Sequence, residues 1–112
     1  MNLPADLVQT IDETRARIRV GMPWWLRPFL MSGVAGITIG RRVFLAMEDE
    51  TLLRHELEHV RQVARLGVLR FYWRYAAEYL RNRRAGMSSQ EAYASISFER
   101  EAVAAEKRRI DI

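Results

Sequence analysis

Residues 49–67 read DETLLRHELEHVRQVARLG, and the fold is decided there. Asp49 stands at an N-cap, Glu50 lies in the first turn, and Gly67 follows the last periodic residue. Leu52, Leu53, Leu57, Val60 and Val63 recur between them at helical spacing, which predicts an amphipathic helix ending at Leu66. The chain's only two histidines lie in this helix, as His55-Glu56-Leu57-Glu58-His59. Four residues apart on a helix, their imidazoles leave the same face on successive turns. Two neutral imidazoles so placed can grip one zinc ion, and a glutamate directly after the first reaches the water held there. The bland alternative is a pair of surface histidines, with Glu56 and Glu58 solvated beside Arg54, Arg61 and Arg65. It leaves unexplained why a histidine-poor chain spends both on one capped helix.

Downstream, a second helix is expected from about Val68 to Arg84, carrying Phe71, Tyr72, Trp73, Tyr75 and Tyr79 and closing at Gly86. Ser88 with Glu91 three residues on is a capping box, which starts a third helix running towards Arg109. Zinc with one position open for water needs three protein ligands. With no cysteine and no third histidine, the third must be a carboxylate. Ala92, Ile96, Glu99 and Val103 follow one helical stripe, so Glu99 falls on an apolar side where a lone carboxylate is costly. A metal would account for it, as would an arginine partner. Glu101 falls nearly opposite, towards solvent.

Upstream, residues 4–19 read as a helix, with Pro4 in its first turn and Leu7, Val8, Ile11 and Ile18 as an approximate stripe, ended by Gly21 and Pro23. Trp24, Trp25, Leu26, Pro28, Phe29 and Leu30 then form a proline-broken aromatic stretch. It has three readings, taken in order: core covering the helices, a segment occupying the cleft, or an interfacial membrane anchor. Ile37-Thr38-Ile39, Gly40-Arg41 and Val43-Phe44-Leu45 suggest a two-stranded hairpin, the alternative being one longer strand with a bulge at Gly40. Helix, hairpin, three helices is an α+β order with a small sheet.

The 112 residues, 49% apolar and 29% charged, suit one domain over 1–112. The absence of cysteine excludes disulfide frameworks, thiolate zinc fingers and cysteine nucleophiles. The longest uncharged run, residues 28–40, is too short for a bilayer span, which takes about 20 residues. No signal peptide is legible, so a cytoplasmic protein without a transmembrane segment is expected. The net charge of +4 sits largely in Arg81, Arg83, Arg84, Lys107, Arg108 and Arg109, near helix ends that favour cations in any case. Nucleic acid is therefore not the expected partner.

The string from His55 to Gln62, followed by Phe98-Glu99-Arg100-Glu101-Ala102, resembles the gluzincin zinc metallopeptidases, and most closely their small single-domain members, the minigluzincins. The resemblance covers about Ile37 to Val103 and leaves residues 1–35 without a motif. It implies a zincin-like fold in which a short sheet precedes the active-site helix. It also implies Zn2+ held by His55, His59 and Glu99 from a later glutamate helix, with Glu56 as general base. Many relatives place Asp or Asn four residues after the third ligand to orient a histidine. Val103 stands there, so that partner must come from elsewhere, such as a backbone carbonyl. Tyr75, Tyr79 and Tyr93 are the candidates for stabilising an oxyanion.

The function expected is hydrolysis of a peptide or protein substrate, an extended segment pairing with an edge strand at Val43–Leu45. Two other functions compete. One is a zinc-stabilised, catalytically silent or latent module, which has no need of Glu56. The other is a metal-free basic nucleic-acid binder, which has no need of paired histidines.

Overall fold

The computed structural model describes residues 2–31 and 33–107. The elements run α1 (Ala5–Thr14), β1 (Arg17–Val20), a 3-10 turn (Trp24–Leu26), α2 (Arg27–Met31), β2 (Gly36–Ile39), β3 (Arg42–Leu45), α3 (Glu50–Leu66), α4 (Val68–Arg84), α5 (Ser89–Ala94) and α6 (Ser97–Glu106). The class is α+β, with a three-stranded sheet in the order β1-β3-β2.

The hairpin forms as expected: β2 and β3 are antiparallel with Ile39 opposite Arg42, and Gly40 takes the positive φ of 62° that the two-residue turn needs. The Ala46 N–H donates to the Ala35 carbonyl at 2.8 Å, so residues 35, 37 and 39 face β3 while Gly36 and Thr38 turn their backbone groups outward. Val43 and Leu45 are fully buried and pack with Leu7, Leu53, Leu57 and Val60 in the core between sheet and α3. A second cluster, Val63, Phe71, Ile96 and Phe98, joins α3 to α4 and α6, with Phe71 stacked on Phe98 at 4.7 Å between ring centroids.

The predicted bounds of α3 hold: Asp49 Oδ1 accepts from the Leu52 N–H at 3.0 Å, and Gly67 closes the helix at φ 87°. At the other end of the chain the expected helix over 4–19 is corrected. It stops at Thr14, where Arg15 turns left-handed at φ 57°, and Arg17–Val20 form a strand parallel to β3. Ile18 meets the core from the strand, and pairing along β3 gives the backbone of residues 17–20 its partners in place of helical ones. β3 is consequently the central strand, so the expected open edge at Val43–Leu45 moves to β2.

The helix expected after Ser88 breaks in two. Its N-cap forms, with Ser88 Oγ accepting from the Glu91 N–H, but Ile96 is extended and fully buried between α5 and α6. Glu78 on α4 then caps α6, accepting from the Ser97 N–H at 2.9 Å and its hydroxyl at 2.8 Å. The break turns the buried face to Phe98, Glu99, Ala102 and Ala105, and leaves Val103 43% exposed, off the stripe expected for it. The end of that predicted helix, with Arg108 and Arg109, lies outside the described residues. The tryptophan stretch is not core over the helices: Trp24 is 78% exposed, and among the residues whose burial is described only Leu26 and Pro23 are buried. Trp25 meets Phe44 edge-on at 5.7 Å on the sheet face turned away from α3.

Candidate metal centre

α3 presents His55 half-buried and His59 buried, and α6 brings Glu99, 3% exposed, between them. His55 Nε2 stands 2.9 Å from Glu99 Oε1, and His59 Nε2 stands 3.0 Å from Glu99 Oε2. One ligand atom from each of the three lies within 4.8 Å of the others. Two imidazole nitrogens and a carboxylate form a donor set that can hold a metal ion. Ligands about 2.1 Å from a tetrahedral zinc stand roughly 3.4 Å apart, so each histidine–carboxylate separation would open by about half an ångström to admit one.

Each ligand is held from behind. His55 Nδ1 faces Glu106 Oε2 at 2.7 Å, and His59 Nδ1 faces Gln62 Oε1 at 2.9 Å, leaving both Nε2 atoms directed at the centre. Gln62 is itself fixed, its amide donating to the Phe98 carbonyl at 3.0 Å and to Glu101 at 3.1 Å. The Tyr75 hydroxyl donates to Glu99 Oε2 at 2.6 Å. The orienting partners thus do come from elsewhere than position 103, and they are side chains rather than a backbone carbonyl. Gln62 lies one turn after His59 on the same helix face, and Glu106, which faces His55, lies two turns after Glu99 on the face that α6 turns to the site. That spacing is the signal from which they could have been read. Glu101 is exposed as expected, though Gln62 engages it. Removing Glu106 (Glu106→Ala) should weaken metal binding about 10–100-fold, measured by competition with a chelating dye. Unchanged affinity would remove it from the site.

Burial disfavours charge on His55, but the carboxylates of Glu99 and Glu106 outweigh it and lift its pKa to about 9 in the metal-free chain. His59 moves the same way, with Glu99 outweighing its burial. Burial would raise Glu99, yet the two imidazoles hold it well below the carboxylate range. A raised histidine stabilises the fold fully below its unfolded value of 6.5 and loses that contribution as pH rises through about 9. The lowered Glu99 contributes above 4.5 and is lost as pH falls further. The metal-free chain should therefore melt highest between those two values and progressively lower towards pH 9. Thermal unfolding in chelator at stepped pH tests this, and a melting temperature flat from pH 6 to 9 contradicts it.

Glu56 leaves α3 beside the triad, 6% exposed and facing β2. Its Oε1 accepts from the Thr38 hydroxyl at 2.7 Å, while burial raises its pKa. Gly36 makes room for it: a Cβ there would meet Leu52 Cδ1 at 2.9 Å and Glu56 Cγ at 3.0 Å. Gly36→Ala should cost about 1–3 kcal/mol in denaturant unfolding and displace the Glu56 carboxylate. An unchanged unfolding midpoint would show that Leu52 and Glu56 yield freely.

Of the three tyrosines, Tyr75 and Tyr93 reach the centre. Tyr79 bonds Ser89 instead and plays no part. Burial, with Glu99 nearby, pushes the Tyr75 and Tyr93 hydroxyls far above the ordinary tyrosine range and keeps them protonated. A cleft of about 600 Å³ runs along the outer edge of β2, floored by Glu56, His59 and Glu99 and walled by Trp25, Phe29 and Tyr72. A second opening continues past Glu56 and Tyr93 to the start of α3. The aromatic segment therefore builds a cleft wall. Comparisons with known families, curated proteins and solved structures found no match, so the geometry alone carries the functional reading.

Proposed function

We propose that the chain is a zinc-dependent peptidase organised as a minimal gluzincin, with His55, His59 and Glu99 as ligands and Glu56 as general base. One observation carries the reading. Three ligand atoms converge within 4.8 Å, and a buried carboxylate that is not needed as a ligand stands beside them in the cleft. A purely structural metal site has no use for that carboxylate.

Zinc, when bound, supplies a Lewis acid that polarises a substrate carbonyl and makes water acidic near neutral pH. Thr38 aims Glu56, which takes up the attacking water's proton and passes it to the leaving amine. The raised pKa of Glu56 favours holding that proton between the two steps. Tyr93, protonated and lining both openings, donates to the developing oxyanion, while Tyr75 keeps Glu99 in place. The substrate is an extended peptide added to the open edge of β2. The apolar cleft wall accepts its side chains.

The test is hydrolysis of a quenched-fluorescent peptide library by the zinc-loaded chain. Cleavage abolished by chelation and restored by zinc is expected. No cleavage of any peptide by fully loaded protein would leave the silent module as the better reading.

A further inference from the structure

Between Glu13 and Glu48 the chain has no aspartate or glutamate and six arginines, Arg15, Arg17, Arg19, Arg27, Arg41 and Arg42. All six are exposed. Strand register gathers three of them: Arg17 pairs with Arg42 and Arg19 with Phe44, on the sheet face turned away from α3. Ile37 and Ile39 share that face across β3. The 3-10 turn and α2, anchored on this face through Trp25 and Phe44, carry Trp24, 78% exposed, and Met31, 88% exposed, and Phe29 and Met47 are also in solvent. A sheet face turned from its core is ordinarily polar and mixed in charge. Here it is apolar and solely cationic.

We propose that this face docks on an anionic lipid surface, with Trp24, Phe29 and Met31 entering the headgroup layer and Arg17, Arg19, Arg27 and Arg42 engaging lipid phosphates. Tryptophan is favoured at the boundary between headgroups and hydrocarbon, where its amphipathic ring suits both sides. Arginines beside it add attraction to anionic headgroups. The segment can only lie on the bilayer, since no helix among the described residues is long and apolar enough to cross one. A second copy is disfavoured, because like faces would bring arginines against arginines. Nucleic acid would use the arginines and stack on the tryptophans, but it has no use for Met31 or Met47.

Trp25, Phe29, Val34 and Ile39 also line the cleft beside Glu56, so a docked chain holds its cleft mouth at the membrane. On the peptidase reading, the substrate class becomes polypeptide segments lying close to a bilayer. Docking itself needs neither metal nor catalysis, so the two ideas fail separately.

The experiment is flotation of the full chain, in chelator, with vesicles of phosphatidylcholine alone or with about a third phosphatidylglycerol. Binding only to the anionic vesicles, reversed by 0.5 M salt, is expected. Both Trp24→Ala/Met31→Ala and Arg19→Gln/Arg42→Gln should bind about tenfold or more weakly, with circular dichroism unchanged. Absence from the floating fraction overturns the proposal, as does equal binding by the Trp24→Ala/Met31→Ala variant. So does tighter binding to a single-stranded oligonucleotide than to vesicles. Self-association that this variant abolishes, without vesicle binding, assigns the face to a second copy instead.

Discussion

Glu56→Gln is expected to lower peptide hydrolysis by about 10²–10⁴-fold while leaving metal content and fold unchanged. The amide is isosteric, and its oxygen can still accept from Thr38, which now lies 2.7 Å from Glu56 Oε1. Burial already works against charge at this position, so neutralising it does not harm the fold. What the amide cannot do is take a proton from water. Rates measured at matched zinc occupancy isolate that loss. Activity close to that of the parent would mean that another group is the base. Activity absent in both proteins, with zinc bound in both, would reduce the centre to a clasp between α3 and α6.

Glu99→Ala should have the larger effect on metal. Its two oxygens face both imidazoles, so the variant keeps only two ligands, and affinity should fall by more than the roughly 10–100-fold that outer-shell changes cost. The metal-free fold should lose about 1–3 kcal/mol as well, because Tyr75 and both imidazoles lose a buried partner. Glu99→Gln separates the two effects: the amide can still receive the Tyr75 hydroxyl, so it should recover stability more than metal binding. Zinc affinity unchanged in Glu99→Ala, measured by chelator competition, would sink the assignment of Glu99 as a ligand.

The parts of this fold written in short-range patterns were legible. Asp49 and Gly67 bracket α3, Gly40 marks the hairpin turn, and Ser88 starts α5, each within a few residues of the structure it controls. His55 and His59 needed only helical spacing, and Glu99 needed only a carboxylate on a buried face. The failures share a cause in distance along the chain. β1 exists because Arg17–Val20 meet Arg42–Leu45, a pairing about 25 residues away along the chain, while the helical stripe read over 4–19 runs through Ile18. α6 begins at Ser97 because Glu78, on another helix, caps it. Glu106 meets His55 only because α6 packs on α3, and the Phe98 carbonyl and Glu101 fix Gln62 against His59 from that same helix. The same holds for Gly36, whose missing side chain matters because Glu56 occupies the space.

The two margins of the sheet differ in a way that bears on self-assembly. An unpaired strand edge invites the same edge of another molecule, and repeated pairing of that kind leads to aggregates. Along β1 the side chains alternate with Arg17 and Arg19, and the strand has four residues, so a second copy meets repulsion and little length to hold. Along β2 the Tyr72 hydroxyl takes up the Gly40 N–H at 3.1 Å and reaches the Thr38 carbonyl at 3.3 Å, closing the end of that row. Only the short stretch from Gly36 to the Thr38 N–H stays open, and it lies inside the cleft. On the proposed peptidase reading this stretch is the one a substrate strand would join, while a neighbouring sheet finds no margin long enough.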